Sequence, residues 1–429
     1  MQLAAIAIGL LCGAAAALMK WAIDWITNLV FSHFDMHSGN WAFFVIPIAG
    51  IFIATAIAKY IVKQPMDHAS DRVADGMAKG ENRISPKLIL GPIVGCTVTL
   101  GLGGSAGAED PITYTGSAIG SNVGKAFRLS QDTLQDLVGI GAGAAIAGIF
   151  MAPIGGMMFS LEVLKTRQTL QTVIALVLGS LTSSLTCYIL LGCHTDITFV
   201  PEMRFDTHLI PMVLICGMVC GLYSAYYSRM MALCRRWYVR FSNIWLRALI
   251  GGVILSTLLF FFPSLYGEGY DTVRKLMIDD PIDIISYSPL FRFGHDYLTL
   301  LILMASLLLV KPFATSSTND SGGIGGDFTP TFFCGGVLGF MFAAVANHYL
   351  GMHLPYALFA FFGMAAVMAG AVRAPLMAIF IAAEMTGLYG FILPLTLSAL
   401  ASIVTVMLLN RSRLTTPAFL RHKDRPSGT

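Results

Sequence analysis

Long apolar runs, separated by short polar strips, make up most of the chain. The first run covers residues 3–30 and the second covers 41–61, and further runs begin at residue 88 and at residue 173. A helix needs about 20 apolar residues to cross the hydrocarbon core of a bilayer. The pattern therefore predicts an all-α polytopic membrane protein, and we interpret the first run as a membrane span.

The polar strips indicate an orientation in the membrane. The strip at 63–87 and the tail from residue 410 are both basic on balance. Short cytoplasmic segments of membrane proteins carry an excess of Lys and Arg, so we expect both on the cytoplasmic side. A polar stretch at 266–296 is expected at the surface or the membrane interface. Because the tail is short, we expect one membrane transport domain over 1–429, with no soluble regulatory domain.

Composition narrows the class of protein further. Of the 429 residues, 56% are hydrophobic and only 12% are charged, and the mean hydropathy is +0.72. The net charge of +3 gives no indication of a nucleic-acid partner. The eight cysteines form no CxxC pair, so we expect no disulfide framework, no metal and no cofactor. These features favour a membrane protein in contact with lipid that is not an enzyme.

Two adjacent acids interrupt one of the apolar runs. Residues 101–111 read GLGGSAGAEDP and contain Glu109 and Asp110. Ionisable residues at membrane depth are costly, and they usually face a cavity and have a function. Glycine permits a tight turn, and proline suits the first turn of a helix. The segment predicts a broken helix whose N-terminus points N–H groups at a negative charge, with a solvated surface loop as the alternative.

The order of motifs repeats in the second part of the chain. Pro111 has a counterpart in Pro330, about 220 residues later, and the segment AGIFMAP has a counterpart in AGAVRAP at a similar separation. Many transporters consist of two homologous halves, which are either parallel or inverted. We predict repeats at roughly 1–207 and 208–429, and the residues alone leave their relative orientation open.

The repeat contains a second broken-helix motif. Residues 322–330 read GGIGGDFTP, which again combines glycines, an acid and a proline before an apolar helix. The two helix N-termini would present N–H groups near 108–110 and 327–329, which suits an unsolvated anion. Glu109 would then be a tethered carboxylate that competes with the anion and leaves when protonated. Alternatively, the glycines serve only helix packing, and the acids face a vestibule.

These motifs resemble those of the CLC family of chloride channels and proton/chloride antiporters. GAEDP, at 107–111, resembles the family's GREGP, and GGDFTP, at 325–330, resembles GGxFxP. The resemblance implies that Glu109 is the gating glutamate. It also implies that the anion binds close to five further residues, which are Gly107, Ala108, Asp110, Phe328 and Thr329.

The resemblance also implies an architecture. The family has two inverted helical repeats whose broken helices meet at the bilayer midplane. It forms homodimers with one pore in each subunit and lies in the membrane with both termini in the cytoplasm. We expect the same here, in the plasma membrane.

The chain departs from the family pattern around the anion. Ala108 replaces an arginine, and Asp110 replaces the second glycine of GREGP. Ser70 is the candidate for the serine that contacts the central anion, and Thr415 stands where the family has an inner-gate tyrosine. A fluoride-selective branch of the family usually lacks a proline at the position of Pro111, so Pro111 favours chloride over fluoride.

Further departures concern the proton. The internal glutamate of the antiporters follows the residue that matches Glu162, and here that position is Val163, as in many channels of the family. Asp327 replaces an apolar residue beside the anion and is a candidate proton relay. Glu162 and Glu384 are expected to be structural acids near helix ends.

We predict from this sequence the transport of small inorganic anions, with chloride preferred, by a proton-coupled antiporter that uses Glu109 as its gating and proton-transfer carboxylate. A passive anion channel is the main alternative because of Val163. An intramembrane aspartyl protease that uses Asp271 and Asp327 is a remote one. Its GxGD motif is incomplete, since Ile324 occupies the position of the first glycine.

Overall fold

Helices dominate the described part of the chain. The computed structural model describes residues 1–33, 42–64, 66, 68–192, 205–278, 288 and 296–411. Before residue 193 these contain α1 (Gln2–His33), α2 (Ala42–Ala56), α3 (Ala69–Ala78), α4 (Lys87–Gly101), α5 (Glu109–Ala126), α6 (Gln131–Phe150), α7 (Pro153–Glu162) and α8 (Leu170–Leu190). After residue 204 they contain α9 (Ile210–Tyr238), α10 (Ile244–Phe261), α11 (Tyr270–Ile278), α12 (Tyr297–Asn319), α13 (Phe328–Leu350), α14 (Tyr356–Val372), α15 (Pro375–Thr386) and α16 (Ile392–Arg411).

The apolar runs of the sequence correspond to helices of membrane-spanning length. Within the described ranges, nine helical segments are long and apolar enough to cross a membrane, and three shorter apolar helices accompany them. The run predicted at 3–30 is α1, and the second run is α2 extended by a π-helical turn at Ile57–Val62. The prediction of an all-α polytopic membrane protein is confirmed.

The helices pack in two matching sets. In the first set α1 packs on α8 and α5 packs on α6, and in the second set α9 packs on α16 and α13 packs on α14. The loops before α5 and α13 meet in an antiparallel backbone contact. These matching contacts agree with the two repeats that the sequence predicts, and the division near residue 207 stays a prediction.

Glycines allow the helices that begin at the centre of the molecule to approach their neighbours closely. A Cβ atom at Gly120 of α5 would lie 2.0 Å from the carbonyl oxygen of Leu137 in α6. A Cβ atom at Gly339 of α13 would lie 2.0 Å from the carbonyl oxygen of Phe359 in α14. Small residues permit such backbone approach between membrane helices. The N-termini of α5 and α13 are therefore held by closely packed helices rather than by loops alone.

Two glutamates join the repeats by capping each other's helices. The Glu162 carboxylate at the end of α7 accepts hydrogen bonds from the N–H groups of Leu376 and Met377, at 3.2 and 2.8 Å. The Glu384 carboxylate in α15 accepts bonds from the two residues after Pro153, at 3.0 and 2.7 Å. Carboxylates stabilise helix N-termini because they satisfy free N–H groups and complement the helix dipole. Both acids therefore have the structural position near a helix end that the sequence predicts.

Candidate functional site

The two broken-helix motifs meet at the centre of the molecule. The N–H of Gly107 donates to the carbonyl of Gly326 at 3.0 Å, and the N–H of Gly326 donates back to the carbonyl of Gly107 at 2.7 Å. The helices α5 and α13 begin two residues after these glycines, and neither N-cap residue, Ala108 or Asp327, caps its helix with its side chain. The pairing brings to one place two helix N-termini, whose first N–H groups have no partner within their own helices.

The carboxylate of Glu109 binds at the N-terminus of α13. The side chain is fully buried, and Oε1 accepts hydrogen bonds from the N–H groups of Phe328 at 2.6 Å and Thr329 at 3.4 Å. Oε2 accepts a bond from the Thr329 hydroxyl at 2.9 Å. A Cβ atom at Gly107 would lie 1.9 Å from Oε2, so glycine is needed there for the carboxylate to fit. The glutamate therefore occupies the position that the sequence analysis assigned to an anion.

Asp110 points to a third helix N-terminus, that of α3. Its Oδ1 accepts a hydrogen bond from the Ser70 hydroxyl at 2.5 Å, and the Ser70 N–H lies 3.4 Å away. Both residues are buried, with 8% of Asp110 and 6% of Ser70 exposed. Ser70 was predicted to contact the anion, and in this structure its hydroxyl donates to a carboxylate instead.

Asp327 lies in a polar cluster with residues from the end of α12. The Asn319 amide donates to Asp327 Oδ1 at 2.7 Å. Next to it, Asp320 accepts a bond from the Ser316 hydroxyl at 2.5 Å, and His68 Nε2 lies 3.6 Å from Asp320 Oδ1. His68 and Asp320 lie within electrostatic range of the candidate relay, whereas Val163 has no group that carries a proton.

Glu268 belongs to the site, although the sequence analysis did not identify it. Its Oε1 accepts a hydrogen bond from the N–H of Ala108 at 3.1 Å. The stretch at 266–296 was expected at the surface, but part of it forms α11, which packs on α13 and α14. The available signal was the sequence Gly-Glu-Gly, an acid between glycines directly after an apolar helix, as in the two motifs already singled out.

Lys311 is a second residue that the sequence analysis missed. It lies in α12, is fully buried, donates to the Ser105 hydroxyl at 3.0 Å and sits 4.6 Å from the centre of the Phe333 ring. Glu268 is within electrostatic range of this ammonium group. A lysine within an apolar run is itself a signal for function at membrane depth.

Glu268 and Ser70 lie on opposite sides of the site. The Tyr266 ring, next to Glu268, lies 4.9 Å from Phe31 at the end of α1 and 6.2 Å from Phe43 at the start of the second span. That span crosses the membrane before the chain reaches Ser70 in α3. Glu268 and Ser70 therefore lie toward opposite ends of this candidate span.

Two further residues predicted for the site are Phe328 and Thr415, and a metal site was not expected. The Phe328 ring packs against Phe159 of α7, with ring centres 6.0 Å apart. Thr415 lies outside the described residues. Among the described residues, no group of three His, Cys, Asp or Glu side chains is arranged to hold a metal ion.

The geometry does not fit an aspartyl protease. Such enzymes use two carboxyl groups that share a proton at close range. The Asp271 side chain is 86% exposed and contacts Arg274, whereas Asp327 is held by Asn319 within the protein. The two acids are in different environments and have different partners.

Comparison with known proteins places this arrangement in a family. A sequence model described as "Voltage gated chloride channel" matches residues 49–407. A putative chloride channel protein, ClcB-like, of Ralstonia nicotianae is 27% identical over 90% of this chain and 87% of its own length. The H(+)/Cl(-) exchange transporter ClcA of Vibrio cholerae is 28% identical over 72% of this chain, and the match covers 64% of that relative, slightly less than two thirds of its length.

Solved structures share the fold over nearly the whole chain. A slow cyanobacterial Cl⁻/H⁺ antiporter superposes with a TM-score of 0.81 at 22% identity and covers 97% of this chain and 96% of its own. A CLC-type fluoride/proton antiporter superposes with a TM-score of 0.74 at 25% identity and covers 94% of each chain. Together with the match to the family's sequence model, these similarities show that the chain belongs to the CLC family of voltage-gated chloride channels and their relatives.

Proposed function

We propose that this protein is a proton-coupled anion antiporter, with chloride as its anion. The observation that carries the proposal is the Glu109 carboxylate on the N–H groups of Phe328 and Thr329. Those donors suit any small anion, so an anion and the ionised carboxylate compete for them. When Glu109 takes up a proton it loses its charge and the anion can replace it. A cycle built on this competition exchanges protons for anions.

The relatives support antiport over a passive channel. ClcA of Vibrio cholerae is named as a proton/chloride exchanger, and two similar structures are those of antiporters. Val163 favours the channel only if no other group carries the proton. Asp327 offers such a group, because it is the residue directly before Phe328, whose N–H binds Glu109. We infer that the proton passes between Glu109 and the Asp327 cluster rather than through position 163.

The choice of chloride rests on the relatives and on one residue. The curated relatives are named for chloride, while one structural neighbour is a fluoride/proton antiporter. Pro111 lies in the first turn of α5, directly after the two acids. It differs from the residue expected in the fluoride branch, which supports chloride.

The orientation and assembly follow the family expectation. We infer a plasma-membrane protein with both termini in the cytoplasm, because basic residues are frequent around α3. We infer a homodimer with one pore in each subunit. Exposed apolar side chains on α8 and α16, such as Leu185 and Leu400, support contact with lipid or with a second copy.

Transport in liposomes tests the proposed function. Purified protein is reconstituted with a chloride gradient, and chloride efflux and proton movement are recorded together. We expect chloride efflux to drive protons uphill, and we expect Glu109→Gln to stop proton movement while chloride still moves. Chloride movement without protons in the wild type would support the channel instead. No movement of chloride, fluoride or nitrate would reject anion transport.

A further inference from the structure

A second carboxylate, that of Glu268, contacts the start of α5. We propose that Glu268 is a second gating carboxylate, which occupies the N-terminus of α5 as Glu109 occupies that of α13. The inference rests on the proposed function, since it concerns the path of the same anion. It assigns a role to a residue outside both sequence motifs.

The hydrogen bond from Ala108 carries the inference. Ala108 is the N-cap residue of α5, and its N–H donates to Glu268 Oε1 at 3.1 Å. Free N–H groups at a helix start bind anions, and a carboxylate in that position takes the place of one. Glu109 therefore binds the first two N–H groups of α13, and Glu268 binds the N–H of the residue that precedes α5, each carboxylate reaching from a different part of the chain.

The two glycines that flank Glu268 allow its loop to change conformation. Gly267 and Gly269, on either side, have φ angles of 63° and 86°, which glycine adopts without strain. Gly269 packs against the Phe333 ring, whereas a Cβ atom at Gly267 would meet nothing within 4 Å. The loop is thus anchored on one side of Glu268 and open on the other. Rotation at Gly267 would withdraw the carboxylate from Ala108.

Movement of this loop would change the charges that an approaching anion meets. Glu268 lies within electrostatic range of Glu109 and of the buried Lys311. With Glu268 in place, an anion that approaches from its side meets the charges of two carboxylates, those of Glu268 and Glu109. When Glu268 withdraws, the Ala108 N–H and the Lys311 charge remain, and both attract an anion. Glu268 therefore limits the rate at which anions enter and leave on this side.

Substitution of Glu268 tests the inference in liposomes. Glu268→Ala and Glu268→Gln remove the charge, and Glu268→Asp shortens the side chain by one methylene so that it no longer reaches Ala108. We expect all three to raise the initial rate of chloride efflux by roughly tenfold, the change that follows from losing one charge-assisted hydrogen bond. Asp271→Asn, in the exposed first turn of α11, is the matched control and should leave the rate unchanged.

The outcomes separate this inference from the proposed function. Variant rates at or below the wild-type rate, in protein with a normal melting temperature, would overturn the role of Glu268. Should the alanine variant not fold, the aspartate variant decides. Should the wild type carry no anion, the proposed function is wrong, and chloride binding by titration calorimetry decides the inference. Tighter binding by Glu268→Gln than by the wild type supports it, and equal or absent binding overturns it.

Discussion

The hydroxyl of Ser70 donates to Asp110 across 40 residues of sequence, at 2.5 Å, in a place where the family resemblance implies a contact with the anion. Glu109 and Asp110 are neighbours in the chain, yet their carboxylates reach the N-termini of two different helices, α13 and α3. The two adjacent acids therefore occupy two positions at which the family resemblance implies the anion.

Removing the charge of Asp110 should open the position at α3. Asp110→Asn keeps the size of the side chain but no longer competes with an anion for Ser70, so we expect chloride to bind roughly tenfold more tightly in titration calorimetry. Ser70→Ala removes the hydrogen bond and leaves the carboxylate in place, and it should not reproduce the gain. Equal affinity of Asp110→Asn and the wild type would show that Asp110 does not occupy an anion position.

Asp327 should carry protons in place of the missing internal glutamate. Asp327→Asn preserves the contact with Asn319 but cannot accept a proton, so we expect proton movement to stop while chloride efflux continues in the same liposomes. Adding Val163→Glu to this variant restores an acid at the family's position and should return part of the proton movement. Unchanged proton movement in Asp327→Asn would reject the relay.

A methyl group at Gly107 should expel the Glu109 carboxylate. The new Cβ atom would lie 1.9 Å from Glu109 Oε2 and 2.6 Å from the Thr329 hydroxyl, so one of these groups must move. We expect Gly107→Ala to lose proton coupling, as Glu109→Gln does, and to destabilise the protein by about 1–3 kcal/mol. Gly390→Ala is the control, because a Cβ atom there would meet nothing within 4 Å. Normal coupling in Gly107→Ala would contradict the tight fit of the carboxylate.

Glu384 should matter for stability and not for coupling. Glu384→Gln weakens the cap on the start of α7, and we expect a loss of about 0.5–2 kcal/mol, seen as a lower melting temperature. The ratio of protons to chloride should stay at the wild-type value. Asp75→Asn, an exposed acid in α3, provides the comparison. A changed transport ratio with normal stability would assign Glu384 to the proton path.

The local features of this site were predictable from the sequence, and its long-range contacts were not. Glycine and proline mark the starts of α5 and α13, so the sequence could place Glu109 and Phe328 near each other. Glu268 could not be placed, because its contact with Ala108 depends on how α11 packs.

Ser70 illustrates the same limit. The family resemblance singled it out as a candidate for contact with the anion, but whether its hydroxyl meets an anion or a carboxylate depends on the direction of the Asp110 side chain. A repeat and a motif define which backbone segments come together. They do not define which of several nearby acids reaches each donor.

The reciprocal contact between Gly107 and Gly326 has a consequence for how this protein can evolve. Both hydrogen bonds run between main-chain atoms, so the geometry at the crossing of the two loops is independent of the neighbouring side chains. Substitutions at positions 108, 110 and 327 can therefore accumulate without separating the main-chain N–H groups at the starts of α5 and α13. Related proteins can therefore differ in the side chains around the ion and still keep the same fold. The cyanobacterial antiporter agrees with this, because it superposes with a TM-score of 0.81 at only 22% identity.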